Sequence, residues 1–162
     1  MKVKLRRAVN LPMDFLVKYN MQRVNLEGEA LIEFLRILLT EAMAESEDPD
    51  LRGRTPDKYL ENLQNNRLGN FSKRYVICAY EDSVHKPIGI LLALPETDGQ
   101  EGYHILTIGV VKAFRRKGVG KSLIKAALNV FKESEIKTLV LDVHRENKPA
   151  LELYKELGFK ED

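Results

Sequence analysis

The stretch from His104 to Phe131 constrains the fold more than any other part of the sequence. It opens with a strand-like apolar run over His104–Val111, passes through a turn that contains Gly118 and Gly120, and continues as a helical pattern. The first N–H groups of a helix have no intrahelical partners and lie at the positive end of the helix dipole. The turn is therefore a candidate site for a phosphate or pyrophosphate group, which glycine allows to approach the backbone closely.

Four basic side chains surround this turn and favour a multiply phosphorylated ligand. They are Arg115, Arg116, Lys117 and Lys121. The alternative is structural, because two glycines also permit a tight turn between a strand and a helix, and lysines often form a solvated helix face. The glycine pattern alone leaves both interpretations open.

A nucleotide-binding P-loop is a second alternative for the same turn. Gly120, Lys121 and Ser122 match the end of the motif G-x-x-x-x-G-K-S/T, and Asp142 at the end of an apolar run could hold magnesium. The motif requires its first glycine at position 115, where this chain has Arg115. The loop that wraps the phosphates of a nucleotide is therefore not expected.

The remaining patterns predict an α/β (α+β) domain over residues 1–162, with a mixed, mostly antiparallel sheet flanked by helices. Short loops between three successive apolar runs favour an antiparallel meander, and the apolar run Thr138–Val143 is expected to be a central strand. The expected elements are a strand around Val3 and Leu5, helices over Glu29–Ala44 and from Thr55 to about Arg67, strands over Tyr75–Tyr80, Ile88–Leu94 and His104–Val111, a helix after Gly118, a strand over Thr138–Val143, and a short helix from Asn147 through Tyr154 that Gly158 can end.

Composition excludes several classes of protein. The chain has 26 Lys and Arg residues against 24 Asp and Glu residues, so its net charge of +2 gives no argument for nucleic acid binding. The longest apolar run, Ile88–Leu94, is far shorter than a membrane span, and the N-terminus has no apolar stretch of signal-peptide length. We therefore expect a cytoplasmic protein that binds neither nucleic acid nor membranes.

Cysteine and histidine give no indication of a metal site. Cys78 is the single cysteine, so no internal disulfide can form, and its position in an apolar run predicts a buried thiol. The histidines His85, His104 and His144 lack the spacing of a zinc site. We predict that the protein binds no metal.

Two motifs in the correct order resemble the GNAT superfamily of acetyl-CoA-dependent N-acetyltransferases. The family signature Q/R-x-x-G-x-G/A after a strand is matched by Arg115, Gly118 and Gly120. The family pattern N-x-x-A-x-x-x-Y-x-x-x-G-F is matched further along the chain by Asn147, Ala150, Tyr154, Gly158 and Phe159. The resemblance implies the GNAT acyl-CoA N-acyltransferase fold, acetyl-CoA (CoA) as the donor and a primary amine as the acceptor.

The resemblance also implies which residues contact the cofactor. In the family, the strand before the turn separates from its neighbour and its backbone pairs with the pantetheine arm, a role that falls here to Ile108, Gly109 and Val110. Asn147 matches a polar contact to the same arm and is equally suited to cap a helix. The turn would hold the pyrophosphate mainly through backbone N–H groups, and its residues are Arg115, Arg116, Lys117, Gly118, Val119, Gly120 and Lys121.

Amide formation by direct attack requires a neutral amine, stabilisation of an oxyanion and a proton for the departing thiolate. By resemblance, Tyr154 is the general acid for the thiolate, and the backbone N–H of Val110 is the oxyanion donor. His104 is the candidate general base, although an exposed histidine at the start of a strand is an equally good interpretation. Tyr103 and Glu101 are the other candidates for the base.

Alternation along the strand predicts where the base lies relative to the cofactor contacts. Side chains two residues apart share a face of a strand. His104 is therefore expected on the same face as Leu106, Ile108 and Val110.

The chain departs from the family pattern near its C-terminal end. The family usually continues beyond the Gly-Phe pair with one or two strands that wall the acceptor site, whereas this sequence ends at Asp162. We expect either a truncated chain, a strand supplied by another chain, as in a homodimer, or an unusually open acceptor site. The sequence does not decide whether the acceptor is a small amine-bearing molecule or a protein. A CoA-binding or sensory module without activity is the alternative function, against which the retained Tyr154 argues.

Overall fold

The structure, a computed structural model, describes residues 1–14, 16–44, 54–82, 85–96 and 102–162. Its strands are β1 (Lys2–Ala8), β2 (Asn20–Arg23), β3 (Tyr75–Glu81), β4 (Lys86–Pro95), β5 (Gly102–Val110), β6 (Thr138–His144) and β7 (Lys160–Glu161). Its helices are α1 (Gly28–Met43), α2 (Asp57–Gln64), α3 (Val119–Phe131) and α4 (Lys148–Glu156), with short 3-10 turns at Phe71–Lys73 and Lys112–Phe114. Within these ranges, no helix has the length and apolar character that crossing a bilayer requires.

The described strands form one sheet in the order β2-β3-β4-β5-β6-β1-β7. Strands β3, β4 and β5 form the antiparallel meander that their short loops predict. Strand β6 is parallel to β5, and α3 lies in the connection between them. The position of β6 between β5 and β1 confirms the central strand predicted over Thr138–Val143.

Two short strands are not predicted by the sequence patterns. Strand β2 is a polar four-residue strand at the edge of the sheet, and it pairs with β3. Strand β7 has two exposed residues and pairs with β1. Strands this short and polar lack the alternation of buried and exposed residues by which a sequence indicates a strand.

The N-terminal strand β1 continues the sheet beyond β6. It pairs antiparallel with β6 over its whole length, from Lys2 opposite His144 to Ala8 opposite Thr138. Strand β7 then pairs with the outer side of β1. Both ends of the described chain therefore contribute to the sheet on the side of β6.

Helices α1 and α3 pack on opposite faces of the sheet. Gly109 on β5 is opposite Ile90 on β4, so it lies on the other face from Gly89. A Cβ atom at Gly109 would lie 3.0 Å from the Cβ of Ala42 in α1, and one at Gly89 would lie 2.8 Å from Cγ1 of Val119 in α3. Glycine at these two positions lets each helix approach the sheet closely.

Strand β5 contains one extra residue. Leu92 on β4 is opposite Thr107, whereas the next residue, Ala93, is opposite Ile105. Leu106 is therefore inserted as a β-bulge, which locally breaks the alternation of side chains along the strand.

The bulge changes the face on which His104 lies. Residues opposite each other in an antiparallel pair share a face, and by this register His104 lies with Thr107 and Gly109 on the α1 face. The predicted face is therefore wrong, because simple alternation does not continue through a bulge. The prediction that His104 shares a face with Leu106, Ile108 and Val110 is thereby corrected.

Candidate functional site

The second half of β5 has a free backbone edge inside the sheet. Strands β5 and β6 pair only from Gly102 opposite Thr138 to Ile105 opposite Leu141, although β5 continues to Val110. The strands therefore separate beyond Ile105, which leaves a gap between them. An unpaired strand edge of this kind can bind an extended ligand as an added strand would.

The N–H groups of Ile108 and Val110 point into this gap. Val111 N donates to Ile88 O on β4 at 3.0 Å, and successive N–H groups of a strand point to opposite sides. The Val110 carbonyl also points away from β4, since it accepts a hydrogen bond from Arg115 Nε at 3.1 Å. Of the three predicted pantetheine contacts, Ile108 and Val110 thus direct backbone groups into the gap, whereas the N–H of Gly109 points to β4.

The turn before α3 presents a helix N-terminus next to the same gap. Gly118 is the N-cap residue, with a left-handed backbone (φ 83°) and no side-chain cap. The first intrahelical bond runs from Ser122 N to Gly118 O at 3.0 Å, so the N–H groups of the three preceding residues are available to an anion. A Cβ at Gly120 would lie 3.8 Å from Cγ2 of Ile108, which places the helix terminus beside the strand gap.

The Arg115 side chain contacts protein carbonyl groups. Its Nη2 donates to Ala42 O at 2.8 Å and to Ala44 O at 3.0 Å, and its Nε donates to Val110 O. The guanidinium thus binds the C-terminal end of α1, where helix carbonyls lack partners, to the end of β5. This structural role of the side chain is not indicated by the motif, and the predicted cofactor contact of Arg115 stays a prediction.

One cavity of about 870 Å³ includes the strand gap and the helix terminus. Among the predicted cofactor contacts, Lys117 is the one that does not line this cavity, and its Nζ lies 5.4 Å from the centre of the Phe114 ring. The predicted residues that line it are His104, Ile108, Gly109, Val110, Arg115, Arg116, Gly118, Val119, Gly120, Lys121, Asn147 and Tyr154.

Helix α4 brings Asn147 and Tyr154 to the cavity. Asn147 Oδ1 accepts a hydrogen bond from Ala150 N at 3.4 Å, so the interpretation of Asn147 as an N-cap residue is confirmed. Gly158, with φ 97°, follows the helix in a left-handed conformation, and Phe159 N donates to Tyr154 O at 3.0 Å. The second motif therefore builds both ends of a short helix from which Tyr154 reaches the cavity.

His104 contacts a carboxylate across the strands. Its Nε2 lies 3.0 Å from Oδ2 of Asp142. Burial lowers the pKa of His104 below its ordinary value, and the charge of Asp142 opposes this effect. The imidazole is therefore mainly neutral at pH 7, as a general base must be.

The other two candidates for the base differ from His104. The Tyr103 hydroxyl donates to Lys73 O at 2.9 Å, and its ring packs against Tyr75 and Phe131. Tyr103 does not line the cavity, so the structure argues against it as the base. Glu101 lies outside the described residues.

Asp142 and Tyr59 also line the site, although neither motif includes them. Tyr59, from α2, hydrogen-bonds to the Thr107 hydroxyl on β5, and burial raises the pKa of Tyr59 to about 12. An acidic residue inside the apolar run Thr138–Val143 was the available signal for Asp142. Tyr59 gave none, because an aromatic residue on an amphipathic helix is usually a core contact.

The described residues contain no group of three or more His, Cys, Asp or Glu side chains that could hold a metal ion. The prediction that the protein binds no metal stays a prediction.

Comparison with known proteins relates the chain to acetyltransferases. The model of the acetyltransferase (GNAT) family matches residues 40–159. An N-alpha-acetyltransferase from Sulfurisphaera tokodaii is 41% identical over 59 residues, which cover 36% of this chain and 35% of that protein. The N-alpha-acetyltransferase 30 of Xenopus laevis is 40% identical over 63 residues, covering 39% and 23%. The chain thus matches about a third or less of the length of these relatives.

Solved structures share the fold at low sequence identity. A GCN5-related N-acetyltransferase from Sphaerobacter thermophilus superposes with a TM-score of 0.70 at 15% identity, over 99% of this chain and 48% of that chain. The structure of AAC(6')-Iy in complex with the bisubstrate analogue CoA-S-monomethyl-acetylneamine superposes with a TM-score of 0.59 at 21% identity, over 89% and 92% of the two chains. These superpositions establish the architecture of the sheet and its helices.

Proposed function

Because this chain belongs to the GNAT acetyltransferase family, whose model matches residues 40–159, we propose that it transfers the acetyl group of acetyl-CoA to a primary amine. The amine attacks directly in a ternary complex. The observation that carries this proposal is the free edge of β5 beside an uncapped helix N-terminus in one cavity. Such a cavity suits a ligand with an extended amide-containing arm and a pyrophosphate.

The residues of the cavity divide into two groups that would hold the donor. The N–H groups of Ile108 and Val110 would pair with the pantetheine arm, and Gly109 between them, whose own N–H points to β4, would lie beside it. The N–H groups at the start of α3 would hold the pyrophosphate, and Lys121 adds positive charge beside them. The amide nitrogen of Asn147 is not used in capping α4 and can donate to the arm.

Three groups of the chain would perform the chemistry when acetyl-CoA supplies its reactive thioester. The Val110 N–H points into the gap and would stabilise the oxyanion. The Tyr154 hydroxyl would give a proton to the thiolate, and His104 would accept the proton that the amine releases. The three groups line the same cavity.

Calorimetric titration with acetyl-CoA tests the cofactor site. We expect micromolar binding by the wild type and at least a tenfold weaker Kd for Gly120→Glu, because the new carboxylate would occupy the anion site at the helix N-terminus. Gly120→Ala is the matched control, since its Cβ would make an ordinary contact at 3.8 Å with Ile108. Equal affinities for the Glu and Ala variants would place the donor elsewhere, and binding of ATP with magnesium instead of acetyl-CoA would favour the nucleotide alternative.

The identity of the acceptor, the cytoplasmic location and the homodimer are further parts of this proposal. The N-alpha-acetyltransferase relatives support an α-amine as the first acceptor to test. The buried free thiol of Cys78 is compatible with a reducing compartment. Light scattering at several protein concentrations tests the homodimer.

A further inference from the structure

His104 and Asp142 form a contact at the point where β5 and β6 separate. The last paired residues of the two strands are Ile105 and Leu141, and His104 and Asp142 flank that pair. His104 Nε2 lies 3.0 Å from Asp142 Oδ2, with side-chain exposures of 27% and 32%. Both side chains line the cavity. The contact is thus partly shielded from solvent and directly adjacent to the gap.

The contact selects one form of the neutral imidazole. A carboxylate only accepts hydrogen bonds, so the Nε2 of His104 must carry the hydrogen that Asp142 accepts. In the neutral ring the other nitrogen, Nδ1, then has the lone pair. A histidine held in this tautomer presents a defined proton acceptor, whereas the opposite tautomer would present a donor at Nδ1.

Charged and titratable groups from β1, from the end of β4 and from α2 surround this contact. Lys4 on β1 is directly opposite Asp142, and its positive charge lowers the pKa of His104. Glu96, just after β4, acts in the opposite direction, and Arg6 holds its carboxylate through hydrogen bonds of 2.7 and 2.9 Å. From α2, the titratable groups that line the same cavity are Lys58 and Tyr59.

We propose that Asp142 is a positioning residue that holds His104 in the Nε2–H tautomer, so that Nδ1 accepts the proton of the attacking amine. This inference rests on the proposed acetyl transfer. The nitrogen of the amine forms a bond to the carbonyl carbon, the carbon–sulfur bond breaks, and the electron pair of that bond goes to sulfur. The amine proton goes to His104 Nδ1, and the Tyr154 hydroxyl protonates the thiolate. Solvent then returns one proton from His104 to Tyr154, so atoms and charge balance.

The tautomer can be measured without an acceptor by nitrogen-15 NMR of histidine-labelled protein, with acetyl-CoA bound. We expect His104 in the Nε2–H form in the wild type and a shift towards the Nδ1–H form in Asp142→Asn, whose amide can donate to Nε2. Removing the charge of Asp142 should also lower the pKa of His104 further. An unchanged tautomer in Asp142→Asn would overturn the proposal.

Kinetic measurements test how the His104 tautomer affects catalysis. The acceptor is a lysine-free synthetic peptide that has a free α-amine. We expect Asp142→Asn to lower kcat by about 10- to 100-fold with an unchanged Kd for acetyl-CoA, because the base would be held in the wrong tautomer. Asp142→Glu should restore part of kcat. In a His104→Ala background, Asp142→Asn should cause no further loss, because the two residues act as a unit.

Glu146→Gln is the matched control, because Glu146 also lies near a histidine, with its Oε2 3.7 Å from His144 Nδ1, but is exposed. It should leave kcat and the His104 tautomer unchanged. If Asp142→Asn changes the tautomer but not kcat, the proposed role of Asp142 is wrong. If the wild type does not acetylate the peptide, the proposed α-amine acceptor fails, whereas the NMR result still decides the state of His104.

Discussion

The Tyr154 hydroxyl is the proposed general acid, and replacing this one residue tests that role directly. Tyr154 lines the cavity from α4, and Tyr154→Phe would remove the hydroxyl while keeping the ring that packs near Phe159. We expect kcat to fall by about 100-fold, a typical contribution of a general acid, with little change in the Kd of acetyl-CoA. Thiol release and calorimetry measure the two quantities.

Tyr103→Phe is the control for this change. The Tyr103 hydroxyl donates to Lys73 O outside the cavity, so its loss should leave kcat unchanged. If both variants keep full activity, Tyr154 is not the acid, and if the wild type binds acetyl-CoA but acetylates no amine, the chain is a binding module.

Motifs predict which residues meet at the site better than they predict what each side chain contacts. Asn147 and Tyr154 follow from the spacing of the second motif, and both line the cavity. Arg115 also lines the cavity, yet its guanidinium binds three carbonyl groups of the protein. The local sequence suggests Asp142 only as a magnesium ligand of a P-loop, because the partner that explains it, His104, lies on a different strand.

At the scale of elements, Arg115 connects α1 to the strand edge that we propose for the cofactor. Arg115→Lys would keep the positive charge but lose the planar set of donors that contacts Ala42, Ala44 and Val110. We expect a loss of about 2 kcal/mol in the free energy of unfolding, measured by urea denaturation. The Kd of acetyl-CoA should rise by less than tenfold, which corresponds to about 1.4 kcal/mol.

Arg67→Lys is the matched control, because Arg67 is an exposed arginine that donates to Asn62. Its effect on stability should stay within about 0.5 kcal/mol. A large rise in Kd for Arg115→Lys with unchanged stability would show instead that the guanidinium binds the cofactor.

Elements with a long apolar pattern are predictable, and irregular features within them are not. Helix α1 follows from its helical periodicity and the central strand β6 from its nearly continuous apolar run, because burial selects their apolar residues. The bulge at Leu106 has no such signal, since a single inserted residue leaves the composition of the strand unchanged. That one residue moves His104 to the α1 face, where Asp142 can meet it.

A charge cluster joins parts of the fold that are distant in sequence. Arg6 on β1 donates to both carboxylate oxygens of Glu96, to the Thr138 hydroxyl at 2.9 Å and to Asp162 Oδ2 at 3.1 Å. The hydrogen bonds that Arg6 donates to Glu96 are the main cause of a raised pKa of Arg6. Contacts between residues this far apart in sequence cannot be predicted from local patterns, and they link both ends of the chain to β4 and β6.

Glu96→Gln tests how far this cluster stabilises the fold. The side chains of Arg6 and Glu96 are 17% and 6% exposed, so the variant would leave a mostly buried guanidinium without its main counter-charge. We expect the free energy of unfolding to fall by about 3 kcal/mol in urea denaturation. The double variant Arg6→Met, Glu96→Leu should be more stable than Glu96→Gln, because it removes both charges from the interior.

The control is Glu161→Gln, which breaks the exposed pair with Arg145 at 3.1 Å and should cost at most about 1 kcal/mol. Equal losses for Glu96→Gln and Glu161→Gln would mean that water screens both pairs alike and that burial does not strengthen the cluster.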